Sequence, residues 1–263
     1  MFISPLMLDS DPWLPPFSTG LTVANRRASS PLPSSSELPD SDGVPVDNDL
    51  QYLVPTLLRV VLHHHWRHQP DWFFGINMGI YYHGTGFNPR VPIVPDAFIS
   101  LGVKPPSDPR GRLSYIVWLE NSIVPFWTLE CVSQTDGEEY DEKMKIYARM
   151  GVTHYVIYNP HHYRRDRHDS LEVYRLVNGQ YQRRTGDRIW FPELQLAIGQ
   201  ESGTFQKWTR EWLYWYDQSG QRVLLPEEEI EKTQQQLVET QQRAERLAQL
   251  LRDKGIDIDS LER

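Results

Sequence analysis

Apolar residues recur at helical spacing from Asp47 onward. They are Leu50, Leu53, Val54, Leu57, Leu58, Val61 and Leu62. The pattern predicts an amphipathic helix that ends before Pro70, with Asp47 or Asn48 available to cap its first turn. Pro55 removes a backbone donor inside this span, so we expect the helix to kink there or to begin near Val54.

Short apolar runs follow this helix, and glycine, proline and asparagine separate them. The runs are Trp72–Phe74, Ile80–His83, Pro95–Ser100, Ser114–Leu119 and Trp127–Val132. Apolar runs of this length between turn residues are typical of β-strands. Their close spacing predicts an antiparallel meander or a group of hairpins.

The next segments predict a helix followed by another strand. Glu138–Met150 has a helical pattern that stops at Gly151, and His154–Tyr158 is an apolar run closed by Asn159-Pro160. Together with the strand that ends at Val132, these segments predict a βαβ unit within a mixed sheet.

A second hairpin is predicted further along the chain. Asn178-Gly179 stands between the runs Leu171–Leu176 and Gln180–Arg184, and this dipeptide favours a two-residue hairpin turn. The predicted elements together indicate an α/β fold with a mixed central sheet flanked by helices.

The two ends of the chain differ in composition from its middle. Residues 1–46 are dense in proline, serine and aspartate without a sustained period, which predicts a disordered leader. Residues 47–222 form the predicted domain, and residues 223–263 predict a C-terminal helical tail. Its apolar positions are spaced by sevens, at Ile230, Leu237, Ala244 and Leu251. Because Thr233 and Thr240 between them are polar, a coiled coil that pairs the tail with another subunit, as in a homo-oligomer, is marginal.

Composition excludes several classes of protein. The chain has 263 residues, 39% of them hydrophobic, which suits one packed domain with appendages. Its single cysteine, Cys131, excludes an intramolecular disulfide and multi-cysteine metal sites, and its apolar surroundings predict a small core residue. Neither a membrane span nor a targeting segment is evident, so we expect a cytoplasmic protein. The net charge of −8 argues against a non-specific DNA coat protein.

Two carboxylates stand at positions where the pattern is otherwise apolar. Asp96 follows Pro95 at the entry of a predicted strand, where an aspartate is often only a turn residue. Glu130 lies inside Phe126–Val132, a run built to be buried on both faces of a sheet. Since burying an ionised carboxylate without compensation is costly, Glu130 requires a cation or strong donors.

Helix phase identifies the lysine that faces these carboxylates. The inward stripe of the predicted helix contains Tyr140, Lys143, Tyr147 and Met150. Lys145 instead lies on the polar side, where Asp141 and Glu142 can pair with it. Two carboxylates and one inward lysine suit metal-assisted phosphodiester hydrolysis, but a buried salt bridge between Glu130 and Lys143 would explain the same residues.

Three motifs carry a resemblance to a known family. They are Val94-Pro95-Asp96, Leu129-Glu130-Cys131-Val132-Ser133, and the segment from Lys143 to Val152 followed by Tyr155. From about Leu50 to Leu196 the chain resembles the Uma-type restriction-endonuclease family of the PD-(D/E)XK nuclease superfamily. The segment from Arg243 to Arg252, followed by Gly255-Ile256-Asp257, is similar to tails in that family.

The resemblance implies a restriction-endonuclease-like fold and an endonuclease that acts on nucleic acid, DNA being the expected substrate, with Mg²⁺ or Mn²⁺. It implies Asp96 and Glu130 as metal ligands and Lys143 as the catalytic lysine, moved from the strand to the following helix. In the simple pattern that lysine stands two residues after the glutamate, where this chain has Val132. Gln134-Thr135-Asp136 also departs from the Ser-Pro-Ser-like turn of many relatives.

Other interpretations stay open. The acidic net charge and Val132 are compatible with a catalytically degenerate protein that keeps the fold and acts in interaction and assembly. His64 and His68 have a spacing that could hold a metal, although a helix C-terminus favours histidine for its charge alone. Glu120 resembles Glu130 but is expected at an exposed strand end. A set of arginines could contact phosphates or form a solvated loop: Arg164, Arg165, Arg167, Arg183, Arg184 and Arg188.

Overall fold

Helix α1 spans Leu50–His65 in the computed structural model, which describes residues 31–39, 48–106, 108–133 and 138–254. Asn48 caps its first turn, because the side-chain Oδ1 accepts a hydrogen bond from the backbone N of Leu50 at 2.8 Å. The helix runs through Pro55, so the alternative start near Val54 was wrong.

The central sheet is built from the predicted strands. The strands of the first two-thirds of the chain are β1 Trp72–Ile76, β2 Ile80–Tyr81, β3 Ala97–Leu101, β4 Tyr115–Ile116, β5 Trp127–Cys131, β6 His154–Tyr158, β7 Leu171–Val177 and β8 Gln180–Arg184. Six of them form one sheet in the order β1-β3-β5-β6-β7-β8. Strands β5 and β6 are parallel and are connected through helix α2, Glu142–Met150, while the other neighbours are antiparallel. The predicted βαβ unit and the α/β fold with a mixed central sheet are confirmed.

Two local predictions have different outcomes. Asn178 and Gly179 have φ angles of 50° and 79°, as a tight hairpin turn requires, and they connect β7 to β8 as predicted. The run Ser114–Leu119 is a strand only over β4 and continues as a 3-10 helix over Val117–Leu119. β4 pairs in parallel with β2, apart from the central sheet.

A second sheet covers one face of the central sheet. It consists of β9 Arg188–Phe191, β10 Leu196–Phe205 and β11 Trp208–Tyr216, all antiparallel. Together with α1 it packs around Trp127 and Trp215, whose ring centroids are 5.7 Å apart. The sequence patterns did not predict this sheet, because glycines and polar residues interrupt the apolar alternation of β10.

Helix α2 covers the opposite face. Its Tyr147 and Met150 pack against Phe98, Tyr155 and Ile157 of the sheet. Residues of β5 that point to this face are therefore enclosed between the sheet and α2, which is where Glu130 lies.

The parts outside these layers are helices α3, Tyr163–Asp166, and α4, Pro226–Asp253, and the segment 33–39. No residue of α4 is buried. In segment 33–39, which falls within the predicted leader, Leu38 packs against Tyr81 and Ile116. No helix in the described ranges combines the length and apolarity needed to cross a membrane. The rest of the predicted leader and the end of the predicted tail lie outside the described residues, and the three-part division of the chain stays a prediction.

Candidate active site

Neighbouring antiparallel strands bring Asp96 and Glu130 together. In the register of β3 and β5, Ala97 pairs with Leu129. Asp96 precedes that pair by one residue and Glu130 follows it by one, so they face each other at the end of the ladder. Both are buried, with 7% of Asp96 and 1% of Glu130 exposed.

Glu130 receives its partners from α2. The Lys143 ammonium donates to Glu130 Oε2 at 2.8 Å, and the Tyr147 hydroxyl donates to Glu130 Oε1 at 2.6 Å. Lys143 and Tyr147 are four residues apart and so lie on one face of the helix. Lys145 points away and pairs with Glu142 at 2.7 Å, as the helix phase predicts. The salt bridge considered as an alternative to a catalytic site is thus present.

Asp96 is held by the backbone of β5. Its Oδ2 accepts a hydrogen bond from the Cys131 N at 2.6 Å. Burial, and then the nearby Glu130 carboxylate, raise the pKa of Asp96 well above its usual value. Burial likewise raises the pKa of the Cys131 thiol, so this side chain is a neutral core group, in agreement with its predicted role.

Lys143 is the counter-charge of the site. Burial raises the pKa of Glu130, against the opposing effect of Lys143. Burial disfavours the Lys143 ammonium, but the attraction of Glu130 outweighs it, and the pKa of Lys143 is raised. Lys143 therefore remains an ammonium group, and 27% of its side chain is exposed above the buried carboxylate.

A third carboxylate, which the sequence analysis did not select, completes this cluster. Glu139 lies on a 3-10 helix, Glu138–Tyr140, just before α2, and its Oε1 is 3.8 Å from the Lys143 Nζ. Glu139 precedes Lys143 by four residues, a spacing that places both on one helix face and that could have identified it. We call Asp96, Glu130, Glu139 and Lys143 the candidate centre.

The donor set of the candidate centre fits a hard divalent cation in type. The centre contains three carboxylates and one ammonium, so the ionised cluster has an excess of two negative charges, and oxygen atoms are the ligands that Mg²⁺ prefers. Over the described ranges, no group of three or more His, Cys, Asp or Glu is arranged to hold a metal ion. One or two carboxylates suffice for Mg²⁺, because it usually retains several waters.

The remaining candidates from the sequence lie elsewhere. Glu120 forms an ion pair with Arg112 at 2.6 Å and is partly buried, so the expected exposed strand end was wrong. His64 lies 2.5 Å from Glu229 of α4. His68 follows the end of α1 and shares no metal-binding group with His64 among the described residues.

A fourth buried carboxylate, Glu172, lies on the same face of the sheet but outside the candidate centre. It accepts hydrogen bonds from Tyr174 at 2.5 Å and from the Asp169 N at 3.1 Å, and it lies 3.2 Å from both His168 and Arg183. We call Glu172, His168, Tyr174 and Arg183 the Glu172 network. Acidic groups thus engage part of the arginine set, with Arg183 on Glu172 and Arg165 on Asp166.

Two features quoted for the family resemblance, Gln134-Thr135-Asp136 and Gly255-Ile256-Asp257, lie outside the described residues. Val132, which occupies the usual lysine position, is buried and packs in the cluster beneath α2.

Comparisons with known proteins complete the description. A search of the curated proteins found no match. Among solved structures, the chain is similar to "a putative nuclease belonging to DUF820" from Anabaena variabilis, with 14% identity, a TM-score of 0.39, and coverage of 57% of this chain and 76% of that one. The model of the Uma2 family, described as "Putative restriction endonuclease", matches residues 43–202, more than half of the chain. The resemblance drawn from the sequence is confirmed, and the chain belongs to the Uma2 family.

Proposed function

We propose that this protein is a metal-dependent endonuclease that hydrolyses phosphodiester bonds of nucleic acid, with Asp96, Glu130 and Lys143 at its active centre. The observation that carries the proposal is the enclosed meeting of two carboxylates with one ammonium, 2.8 Å from Glu130. Membership of a family described as restriction endonucleases supports the same class of reaction.

Asp96, Glu130 and Lys143 have different roles in the proposed reaction. Asp96 and Glu130 offer the oxygen atoms that would hold Mg²⁺ or Mn²⁺. Such an ion, when bound, lowers the pKa of a coordinated water and neutralises charge on the phosphate. Lys143 directs ammonium hydrogens to the phosphate oxygens, where negative charge increases in the transition state. Burial of the carboxylates strengthens these interactions, because the local dielectric is low.

The position of Val132 is compatible with this proposal. Val132 is 7% exposed and packs among apolar side chains, so it has no chemical role of its own. The cation that a lysine at this position would supply is available from Lys143, which reaches Glu130 from α2. The departure from the simple pattern therefore does not leave the carboxylates without a lysine.

Exposed arginines support nucleic acid as the partner. They follow β6 along α3, β7 and β8: Arg164, Arg167, Arg175 and Arg184. Guanidinium groups bind phosphates without reading sequence. We expect the double variant R164E/R184E to weaken binding of DNA strongly at low salt and less at high salt, which a fluorescence anisotropy titration would measure.

Cleavage assays test the proposal. Wild-type protein is incubated with supercoiled plasmid, single-stranded DNA and RNA in Mg²⁺ or Mn²⁺, beside Glu130→Gln and Lys143→Ala. The matched controls are Glu142→Gln and Lys145→Ala, an exposed pair on the same helix. We expect cleavage by the wild type and by both controls, and loss of cleavage in the two site variants. A wild type that is inert on all substrates with both metals would reject the nuclease proposal.

Assembly through α4 is a second candidate function, because the helix exposes a set of apolar side chains. They are Ile230, Leu237, Val238, Leu247 and Leu250. Its first turn contains Glu227, Glu228 and Glu229, whereas Arg252 lies in its last turn. If α4 pairs with the α4 of a second copy in antiparallel orientation, the acidic first turn of each helix lies beside the last turn of the other, which contains Arg252. We therefore propose an antiparallel rather than a parallel pair.

Analytical ultracentrifugation distinguishes the pairing of α4 from a monomer. Leu237→Glu places a charge on the heptad seam, and Val238→Glu places one on the next position, outside the seam. We expect a wild-type dimer that only Leu237→Glu dissociates. A monomeric wild type at micromolar concentration, or equal effects of both variants, would count against pairing through this seam.

A further inference from the structure

One carboxylate oxygen of Glu139 has no hydrogen-bond partner among the described residues. Its side chain is 8% exposed, and its Oε2 atom is buried without a hydrogen bond from any described residue. A buried acceptor left unpaired costs free energy, roughly 1–3 kcal/mol and more for a charged group. Such an atom, in a cluster that already holds an ammonium, indicates an acceptor kept free for a group that arrives with the substrate.

The other two carboxylates of the candidate centre each accept a hydrogen bond. Both oxygens of Glu130 accept hydrogen bonds, from Lys143 and from Tyr147. Asp96 Oδ2 accepts from the backbone of β5. The Lys143 ammonium has three donors and no acceptor, so it cannot take a proton. Among the carboxylate oxygens of the candidate centre, Glu139 Oε2 is the one that the described residues leave buried without a hydrogen-bond donor.

We propose that Glu139 is the general base of the reaction, and that its Oε2 accepts a proton from the attacking water. The inference rests on the proposed phosphodiesterase function. One water O–H bond breaks and its proton moves to Oε2, while the water oxygen forms a bond to phosphorus. The bond from phosphorus to the leaving ester oxygen breaks, and that oxygen takes a proton from solvent.

The surroundings of Glu139 hold it in place for this role. Its backbone carbonyl accepts a hydrogen bond from the Tyr155 hydroxyl at 2.8 Å, which ties the 3-10 helix to β6. Its Oε1 lies 3.8 Å from the Lys143 ammonium, so one oxygen faces the cation, while Oε2 has no donor in the described part of the chain. The proton acceptor is thus next to the donor that stabilises the phosphate charge.

The test compares Glu139→Gln with Glu138→Gln. Glu138 is the exposed neighbour on the same 3-10 helix, so its variant controls for the loss of a negative charge. We expect Glu139→Gln to lower the DNA cleavage rate by about 100-fold or more, the usual range for loss of a general base, and Glu138→Gln to leave it unchanged. Mn²⁺ affinity, measured by isothermal titration calorimetry, should stay the same in both variants.

A second variant keeps the inference testable if glutamine disturbs the fold. Glu139→Ala leaves a space at the position of the carboxylate, and formate in the buffer should restore cleavage in proportion to its concentration. Lys143→Ala, which retains Glu139, should gain nothing from formate. Restoration that is specific to Glu139→Ala would not follow from a merely structural role.

The outcomes separate this inference from the proposed function. Cleavage by Glu139→Gln at the wild-type rate, or absence of formate rescue, overturns the general-base role and leaves the nuclease proposal standing. Loss of Mn²⁺ affinity in Glu139→Gln makes Glu139 a ligand and also overturns it. A wild type that neither cleaves nor binds Mn²⁺ overturns both.

Discussion

Glu130 and Glu172 are two buried glutamates in one row across the central sheet, and their surroundings differ. Ile157 of β6 pairs with Glu130 on one side and with Glu172 on the other. Each glutamate is 1% exposed. Glu172 accepts hydrogen bonds from the Tyr174 hydroxyl and the Asp169 N, and it pairs with His168 and Arg183. Glu130 shares one lysine with Glu139 and lies near Asp96.

Comparison of the two glutamates shows that a buried carboxylate alone does not mark a functional site. The Glu172 network has enough donors to satisfy its glutamate, and it connects the loop after α3 with β7 and β8. The candidate centre has more carboxylates than cations. An excess of buried negative charge is costly for the fold, and a bound cation would relieve it.

Replacing the positively charged side chain of each region should have the largest effect on stability. Lys143→Met leaves the carboxylates of the candidate centre without a counter-charge, so we expect the free energy of unfolding to fall by about 3 kcal/mol or more without metal. Arg183→Met, in the Glu172 network, leaves His168 and Tyr174 as donors and should cost about 1 kcal/mol. Urea denaturation at neutral pH measures both. Equal losses would mean that the two regions do not differ in charge balance.

Metal binding should separate the same two regions. Mn²⁺ at about 100 times its dissociation constant should raise the free energy of unfolding of the wild type by about 2.7 kcal/mol. We expect the same gain for Glu172→Gln and none for Glu130→Gln, because only Glu130 is a proposed ligand. Thermal denaturation with and without Mn²⁺ measures the gain, and stabilisation of Glu130→Gln would contradict the assignment.

Glu172→Gln should separate stability from activity. The amide retains one acceptor oxygen but loses the charge that attracts Arg183 and His168, so we expect a loss of about 2 kcal/mol in stability. DNA cleavage by the folded variant should be unchanged, because no residue of the network belongs to the candidate centre. Urea denaturation together with the plasmid assay tests both parts, and loss of cleavage at full folding would assign Glu172 to the site.

Asp96→Asn should have the smallest effect and the opposite sign. It removes a carboxylate whose pKa is raised by burial and by Glu130, so the metal-free variant should be more stable than the wild type by about 1 kcal/mol at neutral pH. A raised pKa means that the folded protein binds the proton more tightly than the unfolded chain. The wild type therefore gains stability as the pH falls from the raised pKa of folded Asp96 toward the ordinary pKa of an aspartate. Over this range the difference in stability between the wild type and Asp96→Asn disappears. Urea denaturation from pH 7 to pH 4 checks the sign, and a less stable Asp96→Asn would contradict it.

Much of the fold followed from local patterns. The helical spacing before Pro70, the βαβ unit and the Asn178-Gly179 hairpin were predicted because each depends on residues close in sequence. β10 escaped prediction, since its ten residues alternate poorly and gain their burial from β9, β11 and α1. The 3-10 helix after β4 escaped as well, because its apolar residues also suit a strand.

For the candidate centre, local sequence patterns were enough to show which charged residues need a partner when they are buried. Glu130 interrupts an apolar run, and the phase of α2 turns Lys143 toward the sheet while Lys145 faces solvent. The family motifs added Asp96. These conclusions needed only periodicity and the cost of burying charge.

How these charges combine depends on contacts between distant segments of the chain. Glu139 joins the cluster because the 3-10 helix places its side chain inward, where one of its oxygens finds no donor among the residues that the structure describes. Glu172 is excluded from the centre although it lies in the same row, because the loop after α3 and the strands β7 and β8 bring enough donors to it. The balance of charge in a buried cluster depends on side chains that are distant in sequence, so no local pattern could reveal it.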